Sequence, residues 1–261
     1  MPLTEELSRV TTFITAVTAT AQVGPNMVQV TVGGGDLIGF VPLGADQFVY
    51  VLAPPAGHDR LTIDRGFTWT QYESMDVTAR PVGAYYTVRR WRPAVAEIDL
   101  VVVTSGHDGE GARWATRVAA GDPVALWGPR RIFDPPANTE RFLLVGDETG
   151  VHAIAAILDE LTDELPDDAV IDVIVEVGGE CDEVPLRRGP NTSIVWRHRG
   201  DAPAGSTRAL LDSVRSLHVA PERGYAWGGA ESRVMTSIRR HMRDRVGLAA
   251  EQVAMTAYWR R

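Results

Sequence analysis

A single cysteine, Cys181, is all the thiol in this chain. That excludes an internal disulfide and any cysteine-based metal site, and it fits a reducing compartment. The six histidines, His58, His107, His152, His198, His218 and His241, are scattered without ligand spacing, so a histidine metal centre is not expected. No apolar run approaches the roughly 18 residues of a membrane span. The opening MPLTEELSRV shows no apolar stretch behind a basic start, so a cytoplasmic chain with no stable membrane insertion is expected. Positive charge is also short. With a formal net charge of −8, non-specific binding to nucleic acid or to an acidic membrane is not expected, and any basic site must be local. No G-x-S-x-G elbow and no G-x-G-x-x-G occur, and the GGGD at Gly33 to Asp36 sits between strand patterns without a helix behind it. Hydrolase chemistry and the common dinucleotide fingerprint are thereby set aside.

What is present divides into two patterns. At 261 residues, with 44% apolar and 23% charged residues, the chain has the composition and length of two modest globular domains. From Thr11 to about Ile132 short β-rich runs (TTFITAVTATAQV, NMVQVTVGG, DQFVYVLAPP, AYYTVRRW, EIDLVVVTS, DPVALWGP) are separated by Gly, Pro and Asp. One piece, GARWATRVAAG, looks helical, and the whole predicts a small antiparallel barrel or sandwich. From Arg141 onward strand and helix patterns alternate, which predicts a doubly wound parallel sheet. Two prolines in FDPPANTE, Phe133 to Glu140, mark the linker, giving expected domains of 1–136 and 137–261.

Three stretches hold candidate chemistry. In GAYYTVRRWRP, Gly83 to Pro93, a strand pattern carries adjacent tyrosines, a threonine and arginines. Flat aromatic surface, a hydroxyl and fixed positive charge lie side by side there, although cross-strand aromatic pairs with a solvated arginine face give the same pattern. GEGARWA, Gly109 to Ala115, starts the helical piece of the first half, and free N–H groups at a helix start attract phosphate. In the second half, LLVGDETGVHAIAAIL and YAWGGAES put Asp147, Glu148, Thr149, Trp227 and Glu231 at strand ends. Ligands bind at that edge of a parallel sheet, and the same acids and threonine serve equally as helix caps.

Taken in order and spacing, DQFVYVLAPPAG, YYTVRRW, ARWATRVAAGDPVALWGPR, LLVGDETGVHAIAAIL, YAWGGAE and the terminal AYWRR resemble the siderophore-interacting protein family, the ferric-siderophore reductases related to ferredoxin reductases. The resemblance runs over nearly the whole chain. It implies an antiparallel Greek-key flavin-binding barrel followed by a doubly wound parallel-sheet domain that receives NADPH or NADH. The activity implied is FAD-dependent passage of electrons from NAD(P)H to Fe(III) in a ferric siderophore, which releases Fe(II). The alternatives are a non-catalytic siderophore or flavin carrier or sensor, and a flavin reductase with another acceptor. A membrane siderophore importer is an implied partner. By the same resemblance FAD would be held by Tyr86 (ring against the isoalloxazine), Thr87 (near the reactive N5), Val88 and Arg89 (phosphate), with His107, Gly111, Ala112, Arg113 and Trp114 at the pyrophosphate. Asp147, Glu148, Thr149, Trp227 and Glu231 would border the nicotinamide cleft. Arg130 and Arg131, just after WGP, are candidates for holding an anionic iron chelate, although arginines in a loop are by default only solvated. The chain departs from the family at Ala84, where the motif's first arginine is expected, at Tyr50, where a lysine is frequent, and in a shorter loop between His107 and Trp114.

Overall fold

The computed structural model describes residues 10–55, 57–104, 106, 109–164, 168–217 and 219–261. It divides into two compact units, Met1–Arg131 and Ile132–Arg261, so the division falls just ahead of the proline-containing linker.

The first unit is a seven-stranded antiparallel sheet in the order β4-β3-β7-β1-β2-β6-β5. Its strands are β1 (Thr11–Gly24), β2 (Met27–Gly33), β3 (Phe48–Ala53), β4 (Val82–Thr87), β5 (Arg90–Arg92), β6 (Glu97–Val103) and β7 (Pro123–Arg130). The YYTVRRW run is split between the two edges, because β4 pairs with β3 and β5 pairs with β6. Two residues join them. The Val88 amide donates to the Gln47 carbonyl at 2.8 Å, and the Arg89 amide donates to the Asp99 carbonyl at 2.9 Å. This seam carries the chain directly from one end of the strand order to the other and gives the sheet its barrel-like form.

Alternation along the strands sorts the core. Val49, Val51, Val30, Val32, Ile98, Leu100, Val124 and Leu126 fill the barrel interior. On β3 the alternate residues Tyr50 and Leu52 are buried too, in a second cluster with Phe67 and Ala125 on the outer face. A strand buried on both faces reads as an unbroken apolar run, as FVYVLA does.

Two α-helices occur here among the described residues, where sequence periodicity gives one. The helix α1 (Trp69–Ser74) begins with a capping box in which the Thr68 hydroxyl accepts from the Gln71 amide and Gln71 reaches back to the Thr68 amide. The expected helix is α2, which spans only Glu110–Ala115. Its Trp114 and Ala115 pack into the barrel core.

The second unit is a five-stranded parallel sheet in the order β10-β9-β8-β11-β12. It comprises β8 (Arg141–Asp147), β9 (Val170–Val177), β10 (Thr192–His198), β11 (Gly224–Glu231) and β12 (Val253–Trp259). Helix α3 (Val151–Glu164) follows β8, α4 (Ala209–Ser216) follows β10, and α5 (Ser232–His241) follows β11. A π-turn, Met242–Val246, extends α5. One face of the sheet is covered by Leu210 and Val214 of α4 with Met235 and Ile238 of α5. The chain winds outward from β8 to β10, then returns to place β11 on the other side of β8. The carboxyl ends of β8 and β11 therefore flank a topological switch point, where open α/β sheets bind ligands. Among the described residues no helix is long and apolar enough to cross a membrane.

Candidate functional site

In the first unit the strand β4 decides the geometry. Its register sets Tyr86 opposite Val49 and Tyr85 opposite Tyr50, so the two tyrosines face opposite sides of the sheet. Tyr86 packs against the barrel core and aims its hydroxyl at the start of α2. A Cβ added to Gly111 would lie 2.0 Å from that oxygen and 3.2 Å from the Ala84 Cβ. Glycine at 111 is what makes room for the phenol, and Ala84 shares the same face. Burial pushes the Tyr86 phenol above its ordinary range, which keeps it protonated and a donor. Among the described residues neither the Tyr86 hydroxyl nor the Thr87 hydroxyl has a hydrogen-bond partner. Two hydroxyls left open beside a strand end and a glycine fit a ligand that carries phosphate oxygens and ring nitrogens, as FAD does.

The neighbouring expectations divide. Val88 is 3% exposed with its side chain in the barrel core, and its amide already bonds Gln47. It supports the barrel seam, and its side chain packs in the core, which leaves its backbone for any contact with a cofactor. Arg89 is half-buried next to it. Gly111 and Ala112 are buried, and Arg113 is exposed at the last turn of α2. Trp114 is a core residue, 9% exposed, and its side chain belongs to the barrel interior. His107 lies outside the described residues.

On the opposite face Tyr85 is 50% exposed. Its ring sits edge-on to Tyr50 at 4.6 Å and to Phe48 at 5.5 Å. Its hydroxyl accepts from Arg130 Nη1 at 2.8 Å, and the Arg130 guanidinium lies 4.2 Å above the Trp127 ring. Arg131 turns elsewhere and donates to the Leu43 carbonyl at 3.1 Å. The two arginines are therefore not one clamp, because adjacent residues of an extended chain point apart. Tyr50, in the place of a lysine, is an aromatic core residue. Its ring fills the space a Cβ on Gly83 would need, within 2.4 to 2.8 Å.

In the second unit the expected acids do meet at the switch point, and they satisfy one another's surroundings. Asp147 Oδ1 accepts from the Thr149 amide at 2.9 Å and the Thr149 hydroxyl at 2.5 Å. Its Oδ2 accepts from Trp259 Nε1 at 2.8 Å and the Glu231 amide at 3.2 Å. Burial, then the Glu148 charge, push the Asp147 carboxyl up. Glu148 pairs with both guanidinium nitrogens of Arg199 at 2.7 and 2.9 Å, and Glu231 caps α5 by accepting from the Arg233 and Val234 amides. Helix capping thus accounts for Glu231. Trp227 is 1% exposed in the middle of β11, paired with Leu144 and Ala254, and edge-on to Tyr258. Its position before the two glycines of GYAWGGAE leaves it inside the sheet, not at the edge.

Arg199 and Thr207 join these acids without any signal in the sequence. Thr207 Oγ1 donates to Glu176, whose carboxyl is pushed up by burial. No spacing within RHRGD distinguishes Arg199 from a solvated arginine; only the fold brings it to Glu148.

Residues 16–133 match the siderophore-interacting FAD-binding domain, and residues 139–261 match the siderophore-interacting protein model. The chain belongs to the siderophore-interacting protein family. A protein of Mycobacterium tuberculosis of uncharacterised role is 29% identical over 255 residues, covering 94% of this chain and 89% of the relative. The ferric vibriobactin reductase of Vibrio cholerae is 25% identical over 243 residues, covering 92% and 86%. The crystal structure of a siderophore utilization protein from T. fusca superposes with a TM-score of 0.81 at 26% identity, covering 97% of this chain and 94% of that one.

Proposed function

We propose that this family member is an FAD flavoprotein that takes electrons from NAD(P)H and delivers them to Fe(III) in a siderophore. The observation that carries the reading is the pair of open hydroxyls, Tyr86 and Thr87, on the strand that falls within the matched FAD-binding domain. The likeness to a ferric vibriobactin reductase supports the acceptor. FAD, when bound, supplies the conversion from two-electron donor to one-electron acceptor. The chain's own part is to hold and orient. Tyr86 offers a half-buried ring and a protonated hydroxyl, Thr87 a second hydroxyl, and Arg89 a fixed cation two residues on. Gly111 leaves the approach to α2 open for Tyr86. The switch-point edge of the second unit supplies the place for the nicotinamide. There Asp147, Thr149 and Glu231 fix the turn through their mutual bonds, so binding would fall to the backbone and to groups around them. Arg130, held over Trp127 and bonded to Tyr85, is the cation for an anionic chelate.

A second reading, a flavin-binding carrier without turnover, is favoured by Ala84 in the place of a phosphate-binding arginine. The test is an absorbance spectrum of the purified chain with FAD, followed by NADPH or NADH and then a ferric siderophore, all without oxygen. Bleaching by the nucleotide and recovery on adding the ferric chelate are expected. A flavin that binds and never bleaches selects the carrier; absence of flavin binding removes both readings.

A further inference from the structure

Every one of the 26 basic side chains counted in this chain is arginine, and they are unevenly distributed over a molecule of net charge −8. Between α4 and α5 they surround a groove of about 550 Å³, lined by Arg208 just ahead of α4, by Arg215 in its last turn, and by Arg240, His241 and Arg245 from α5 and its π-turn. A helix C-terminus accommodates cations through its dipole, and that explains part of the run RRHMRDR. Arg239 donates to the Met255 carbonyl, and Arg243 donates to the Leu248 carbonyl at 2.6 Å. Arg240 and Arg245 have no such partner among the described residues; they line the groove instead. Across from them Arg208 and Arg215 share one carboxylate, Asp212, at 3.7 Å each, a weak exposed contact. Only Asp244 adds a negative charge to the lining. The field in the groove is felt by its histidine: burial first, then Arg215 and Arg245, hold the His241 imidazole below its ordinary value.

Guanidinium is planar, always charged and presents paired donors that match phosphate oxygens two at a time. Four such groups facing only two carboxylates, Asp212 and Asp244, leave a surplus of positive charge that an anion entering the groove would neutralise. The concave shape favours a compact polyanion over a flat surface. None of the groove residues is among the candidate FAD or nicotinamide residues.

We propose that the α4–α5 groove is a binding site for an anion with two or more linked phosphates, the chemistry of inorganic pyrophosphate or of a nucleotide's phosphate chain. The probe is inorganic pyrophosphate, titrated calorimetrically into the full chain at low ionic strength and again at about 0.15 M salt, where the screening length is about 8 Å. One saturable site that weakens with salt is expected. Arg215→Ala with Arg240→Ala should weaken it about tenfold or more. Arg215→Lys with Arg240→Lys should lose part of the affinity, because charge stays and the paired donors go. Arg187→Ala, at a cation paired with Asp163 on the exposed surface, should leave it unchanged. No saturable binding at low salt overturns the proposal, as does an equal loss with Arg187→Ala. Sulfate binding as tightly as pyrophosphate overturns the linked-phosphate requirement. Binding to phosphatidylglycerol vesicles that is lost in the Arg215/Arg240 variants, with no pyrophosphate binding, assigns the face to lipid and overturns the small-anion site.

Discussion

Tyr85 and Tyr86 are neighbours in the chain and face opposite sides of β4, and the strand alternation that separates them was readable in the sequence. Their surroundings were not: that Tyr86 ends at Gly111 and Tyr85 at Arg130 depends on pairings with residues far away in the chain. Tyr86→Ala is expected to weaken FAD binding by about 1–3 kcal/mol through lost aromatic area, and Tyr85→Ala to change it much less; titration of FAD against both variants checks the register, and equal losses would refute it. Gly111 offers a sharper test of the same contact. Gly111→Ala puts a methyl group 2.0 Å from the Tyr86 hydroxyl, an overpacking worth about 1–3 kcal/mol of stability. In a Tyr86→Phe background part of that loss should disappear, since the pair is in direct contact. Urea denaturation of the double-mutant cycle measures it, and strict additivity would show that the two groups do not meet.

At the scale of elements, the antiparallel strands of the first unit and the parallel sheet of the second were legible, because alternation and Gly/Pro punctuation are local signals. Helix α1 was passed over although Thr68 and Gln71 form a capping box, because its six residues, Trp69–Ser74, bury no side chain and so leave no apolar period. Trp227 was placed at a strand edge because glycines follow it, whereas pairing on both sides, to β8 and β12, puts it inside the sheet. At the carboxyl edge of that sheet, Glu176 at the end of β9 makes a pH prediction. Burial raises its carboxyl above the ordinary value of 4.5, so the folded state holds its proton more tightly than the unfolded one. Stability from this group is therefore greatest below the unfolded value and falls as pH rises through the folded one. Glu176→Gln keeps an oxygen for Thr207 and removes the charge. Its melting temperature should gain on the native chain progressively from about pH 4.5 upward, and a difference independent of pH would show that burial does not act through ionisation there.

Over the whole molecule, two units of nearly equal length share one chain, and a ligand that binds one of them stabilises that one by mass action. At a free FAD concentration about 100 times its dissociation constant, the barrel should gain about 2.7 kcal/mol, visible as a shift of its unfolding transition in calorimetry with the α/β unit's transition unmoved. A shift shared equally by both transitions would mean that the flavin is not held by the barrel alone. The seam at Val88 and Arg89 sharpens this. The barrel is clasped there by the Val88 and Arg89 amide protons, in the same stretch as Tyr86, Thr87 and Arg89, which are proposed to touch the flavin, so one short segment serves as latch and as ligand platform. Each excursion that unclasps the strand also dismantles the platform, and each bound flavin must wait for the clasp to be shut. Solvent deuterium reports on that directly: exchange at the Val88 and Arg89 amides should slow in proportion to flavin occupancy, which makes two backbone protons a gauge of cofactor loading that needs neither colour nor turnover.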